Sequence, residues 1–172
     1  LLALEAGDGA AAEKLLERVV EAADRAGRPS LAAIAAVWSI AAAMLQGHRD
    51  RALALLADVR SDRPERQDRT KVLAASDRAF LHALASLLAP RREDAEVELQ
   101  RARALVGGRY PATSHFIAVA AGEAPNIAES TPSGVRVRLA ERLVAAVAVA
   151  GDTESLGAGA AGDTESLWAA TE

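Results

Sequence analysis

The side chains best suited to acid–base or metal chemistry near neutral pH are three histidines, His48, His82 and His115. No His-Glu-x-x-His run is present, and no two histidines are spaced to share a metal ion on one helix. His48 falls in a turn, His82 inside an apolar helix and His115 beside Phe116, places that suit exposed or hydrogen-bonded structural histidines. The chain has no cysteine, which removes disulfides, thiolate metal sites and cysteine nucleophiles together. Serines occur without a Gly-x-Ser-x-Gly elbow, and no glycine-rich loop runs into Lys-Ser or Lys-Thr to cradle a phosphate. Gly157, Gly159 and Gly162 are spaced loosely like a dinucleotide loop but follow no strand. One predicted helix carries Asp77, His82 and Ser86, at spacings of five and four that share a face only in part. Carboxylate pairs such as Glu17 with Glu21 fit an exposed helix face. The expectation is a protein without catalytic residues, metal or cofactor, with a helical enzyme subunit as an alternative.

The elements that would position any site are helices. Of the 172 residues, 51% are hydrophobic but only 3% aromatic, so the core must be built from Ala, Leu and Val. Ala and Leu are the strongest helix formers, and the β-branched residues are scattered among alanines without strand-like alternation. The fold class expected is all-α. No apolar stretch is long enough to cross a bilayer without a charge or glycine intervening, and a cytoplasmic location fits the lack of cysteine. The chain opens on Leu1, within a predicted helix and without a positively charged leader, so further residues are expected upstream.

A period of about forty residues organises the chain. Gly7 is followed by Ala12, Leu16 and Val19; Gly47 by Ala52, Leu56 and Val59; Pro90 by Ala95, Leu99 and Ala102. The three starting points are 40 and 43 residues apart. In each register the Gly or Pro ends one helix, a polar residue (Asp8, Asp50 or Asp94) caps the next, and the apolar set falls on one face of that helix. Ala12, Ala52 and Ala95 would sit where paired helices cross most closely. The preceding helices are read over Ile34, Val37, Trp38, Ala41 and Leu45, capped by Ser30, and over Leu73, Phe80, Leu84 and Leu87. Pro111 opens a short helix through Phe116, Ile117 and Val119, and a last helix runs through Val135, Leu139, Leu143 and Ala146. Residues 60–71, with alternating acid and base around Pro64, read as a solvated loop with a helical turn at its end, and residues 122–134 as a non-helical connection.

The division expected is a helical-repeat domain over 1–150, degenerate after about residue 108, and an acidic Gly/Ala-rich tail over 151–172. The tail holds five acidic residues and no basic one, and with a net charge of −4 for the whole chain this leaves residues 1–150 at +1. So balanced a body argues against direct nucleic-acid contact. Within the tail, Gly-Asp-Thr-Glu-Ser-Leu at 151–156 recurs at 162–167, an eleven-residue duplication. It reads as low-complexity linker, as a tandem recognition element whose anchors are Leu156, Leu167 and Trp168, or as the start of a further hairpin, since Gly151 follows a predicted helix as Gly47 does.

The series Gly47, Ala52, Leu56, Val59 and Pro64 resembles the second half of a tetratricopeptide repeat, and the Gly7 and Pro90 registers resemble it less completely. The resemblance covers roughly residues 1–107. The aromatic and tyrosine positions of the family's first helix are not matched, and the period exceeds the family's usual ~34 residues. It is nearer that of the degenerate repeats in large LuxR-type and related actinobacterial transcription regulators. The resemblance implies antiparallel helical hairpins stacked in a right-handed superhelix. Its first helices would line a concave face carrying Ile34, Val37, Ala41, Asp77, Phe80 and Leu84; the competing reading takes all but Asp77 as ordinary core. The function implied is binding of a protein or peptide, or of a small-molecule effector, inside a larger bacterial regulator. A stand-alone scaffold joining partners is the alternative, and neither involves a membrane.

Overall fold

The computed structural model describes residues 2–61, 69–107, 109–123 and 139–146. The described residues are mostly helical, with no strand among them. In chain order the helices are α1 (Leu2–Ala6), α2 (Gly9–Arg25), α3 (Pro29–Leu45), α4 (Arg49–Arg60), α5 (Ala75–Leu88), α6 (Arg92–Val106) and α7 (Pro111–Ala120). A single 3-10 turn, Arg69–Val72, precedes α5, and residues 139–146 are also helical.

The turns that fold these helices back on one another follow from local chemistry. Gly27 and Gly47 adopt φ of 61° and 71°, a left-handed backbone that glycine reaches without strain. The following residue then donates its N–H back across the turn, Arg28 to Ala23 at 2.8 Å and His48 to Ala43 at 3.0 Å. This closes the last turn of α2 and of α3 and satisfies carbonyls that would otherwise be left open. Asp8 caps α2 as expected, its Oδ1 accepting from the Ala11 N–H at 2.9 Å. The other two expected caps are displaced. Asp50 and Asp94 lie inside the first turns of α4 and α6, and the cap positions belong to His48 and Arg91, which make no side-chain capping bond. Nor does Ser30 cap α3: Pro29, with its φ already near helical values, opens that helix and Arg28 takes the cap position.

Packing is organised around α3. Twelve of its seventeen residues are buried, so it is apolar on every side and not along one stripe. It packs on α2, α4, α5 and the 3-10 turn, while α5 packs on α6 and α7. Small residues let these helices close up. A Cβ on Gly9 would stand 2.8 Å from the Ala42 carbonyl oxygen and 2.8 Å from Gln46 Cγ, so a side chain there would force α2 off α3. Ala12 and Ala52 are buried as the repeat requires, whereas Ala95 is only half-buried. Val19 departs from its register too, because it points outward from α2 into solvent.

Three of the five aromatic residues stand together. Trp38 of α3 packs on Phe80 of α5 with ring centroids 4.8 Å apart, and Phe80 meets Phe116 of α7 edge-on, also at 4.8 Å. Three helices are thereby joined through one continuous row of rings, a geometry that adds to simple burial. Leu139 and Leu143 from the helical residues 139–146 belong to the same core. Among the described residues, no helix is long and apolar enough to cross a membrane.

Candidate functional site

The residues proposed from sequence as a concave lining lie mostly inside the protein. Val37, Ala41, Phe80 and Leu84 are core residues with essentially no surface, and Ile34 is half-buried against the core. Only Asp77, half-buried in the first turn of α5, keeps a polar group near solvent. These side chains hold α3 and α5 together and present almost nothing to a ligand. Leu156, Leu167 and Trp168 lie outside the described residues. Ser86 is also buried, its Oγ donating to the Ala83 carbonyl at 2.7 Å, so it does not form a reactive group with Asp77 and His82.

A concavity lies elsewhere, between α2 and α4 above the small residues of α3. It is a groove of about 870 Å³, within the range of small-ligand and peptide-anchor sites. One wall is a stripe on α2, Glu13, Glu17, Glu21 and Asp24, at spacings of four, four and three that bring all four onto one helix face. The opposite wall comes from α4 with Arg51, Leu55 and Asp58, and the 3-10 turn closes one end with Arg69 and Val72. Ala36 and Ser39 of α3 are small enough to leave the floor open.

Its electrostatics are one-sided. Among the described residues that line it, five carboxylates face two guanidiniums, a surplus of three negative charges. Arg51 bridges Glu13 at 3.3 Å and Glu17 at 3.2 Å, and Arg69 reaches Asp24 at 3.2 Å. Gln46 fixes the other oxygen of Glu13, donating from Nε2 at 2.9 Å. Glu21 has no ion-pair partner among the described residues. The groove thus already holds two arginine side chains, and its apolar strip of Val20, Leu55 and Val72 suits the aliphatic stems of such residues. Among the described residues no group of acidic and histidine side chains is placed to hold a metal ion.

A second polar cluster locks helices together. Glu98 of α6 accepts from Arg60 of α4 at 2.6 and 3.3 Å, from Arg101 at 3.0 Å, and pairs with His82 Nδ1 of α5 at 2.6 Å. Burial alone would raise the Glu98 pKa, but the hydrogen bonds from Arg60 and His82 and their charges outweigh it, and the carboxyl titrates below its ordinary value. A carboxylate so paired stabilises the fold above the unfolded-state pKa, and that contribution is lost as pH falls through the lower folded-state value. Glu98→Gln is therefore expected to lower stability by roughly 1–3 kcal/mol near neutral pH. Its deficit against the parent chain should shrink as pH falls below about 4, in urea titrations at each pH. An equal deficit at every pH would assign the loss to packing.

No family model, curated protein or solved structure matches the chain. The groove's acidic wall was nevertheless visible in the sequence as the i, i+4, i+8, i+11 series beginning at Glu13. What no local pattern announced is that α4 faces it with Arg51 and Asp58.

Proposed function

We propose that the chain is a tetratricopeptide-like interaction module and that the groove between α2 and α4 receives an arginine- or lysine-rich segment of a partner protein. The stacking part of this reading is supported by the order of packing: α2 packs on α3, α3 on α4 and α5 on α6, each on the helix that follows it, and the aromatic row ties α3, α5 and α7 together. In a right-handed stack of such hairpins a groove between successive helices is open along its length, which suits an extended peptide. The observation that carries the binding reading is the surplus of three negative charges among the groove's described lining residues, set beside an apolar strip. Opposite charge speeds encounter and excludes acidic partners, while the apolar strip supplies affinity that salt does not screen. No catalytic step belongs to this reading. In a larger bacterial transcription regulator, occupancy of the groove would shift how the module packs on neighbouring domains; a free-standing scaffold would use the same surface to join partners.

The test is a fluorescein-labelled peptide alternating arginine and leucine, followed by fluorescence anisotropy. Glu17→Lys combined with Glu21→Lys is expected to weaken binding about tenfold, which corresponds to roughly 1.4 kcal/mol. Both positions are exposed, so the fold should be retained and circular dichroism unchanged. Unchanged affinity in the double variant, or equal binding of a glutamate–leucine peptide, would refute the assignment.

A further inference from the structure

The face of α2 that points away from the groove has the opposite character. Leu15, Val19 and Leu31 are 54%, 37% and 43% exposed, half of the large apolar residues that reach solvent among the described residues. They line one shallow concavity together with Arg18, Arg25 and Arg28. Arg18 and Arg28 have no ion-pair partner among the described residues, and the Arg25 Nε donates only to the Glu21 backbone carbonyl, at 3.3 Å. Glu21 is the single carboxylate at the rim. An apolar patch ringed by three unpaired guanidiniums fits a segment that combines carboxylates with bulky apolar anchors.

The same chain contains such a segment. Asp163-Thr-Glu-Ser-Leu-Trp168, and its earlier copy Asp152-Thr-Glu-Ser-Leu156, place two carboxylates just ahead of an apolar anchor. The tail from 151 to 172 holds five acidic residues and no base to neutralise them. Reach is sufficient. The Arg142 guanidinium lies where a Cβ of Gly7 would stand, so the helical residues 139–146 sit beside the turn that opens α2. Leu15 is eight residues from Gly7, about 12 Å along the helix axis. From residue 146 to Asp152 six residues span up to ~20 Å, and the second copy has a longer tether still. Tethering at this distance gives an effective concentration of about the millimolar range, enough for a weak charged and apolar contact to persist.

We infer that the duplicated acidic segment of this chain docks on the outer face of α2, with Leu167 and Trp168 on the Leu15–Val19–Leu31 patch and Asp163 and Glu165 against its arginines. The second copy takes the patch because the indole adds the larger apolar anchor. The first copy competes for the same place, so deleting it changes occupancy by no more than about twofold.

Because the chain has no cysteine, Thr171→Cys provides a single attachment point for a nitroxide in this 172-residue chain. Paramagnetic relaxation should remove more than about half of the amide signal of Leu15, Val19 and Leu31 and leave α6 unaffected. Arg18→Glu with Arg25→Glu should restore those signals, as should Leu167→Ser with Trp168→Ser, and Arg18 and Arg25 are both exposed, so the fold should be retained. Even attenuation over the whole surface, attenuation centred on the α2–α4 groove, or no recovery in the charge-reversed variant would overturn the assignment. A mixture of nitroxide-bearing chains with isotope-labelled, nitroxide-free chains should show no loss. Equal loss in that mixture would mean that the tail sits on a neighbouring copy, which also overturns it.

Discussion

Phe80→Ala is expected to remove about 3–5 kcal/mol of stability, measured by denaturant unfolding followed by far-ultraviolet circular dichroism. Phe80 has no exposed surface and touches both Trp38 and Phe116 at 4.8 Å. Its truncation therefore removes two aromatic contacts and opens a cavity where α3, α5 and α7 meet. A loss of this size is a large part of the roughly 5–15 kcal/mol that keeps a domain folded. The unfolding midpoint should drop sharply, and the tryptophan emission, to which buried Trp38 contributes, should shift to the red at lower denaturant. A phenylalanine lining an open groove would behave differently, since truncation there leaves no cavity and costs well under about 1 kcal/mol. The measurement thus separates core from binding surface at a residue for which sequence patterning permits both.

Ala41→Leu makes the same distinction from the opposite direction. On a surface helix the exchange would be nearly neutral, because leucine is almost as good a helix former as alanine. Ala41 has no exposed surface and lies on a helix enclosed on all sides, so three added carbons have nowhere to go. The expected cost is about 1–3 kcal/mol from displaced neighbours. It should appear as a lower unfolding midpoint with unchanged helicity in water. A change within about 0.5 kcal/mol would show that the α3 face has room to spare.

Much of the fold was legible because its signals are local. The stop at Gly27 or Gly47 depends on one residue's access to positive φ, and the forty-residue rhythm on residues that repeat it. The capping errors have an equally local cause. In these turns the cap position is the residue directly after the glycine, which is Asp8 in one hairpin and His48 in the next, so Asp50 arrives two positions late. Partners across space were a different matter. The helix α3 is apolar all round, and its composition does not say which of its faces is covered; neighbours from four other elements cover nearly all of it. For that reason Val37 and Ala41 fit a groove and a core equally well until α2, α4 and α5 are placed. Glu98 and His82 are sixteen residues apart, and Arg60 is a further twenty-two from His82, so nothing short of packing brings the three together.

The acidic groove illustrates both sides. Its α2 wall is a sequence pattern, while its depth depends on Ala36 and Ser39 being small at the point where α2 and α4 diverge over α3. The most direct test is a two-dimensional amide NMR titration of the isotope-labelled chain with the arginine–leucine peptide. Shift changes should concentrate at Glu17, Val20, Glu21, Ser39 and Leu55 and fade at about 1 M salt, where the Debye length falls to about 3 Å. Changes confined to α6 and α7, or a chain that ignores the peptide at millimolar concentration, would contradict the assignment of the groove as the binding surface.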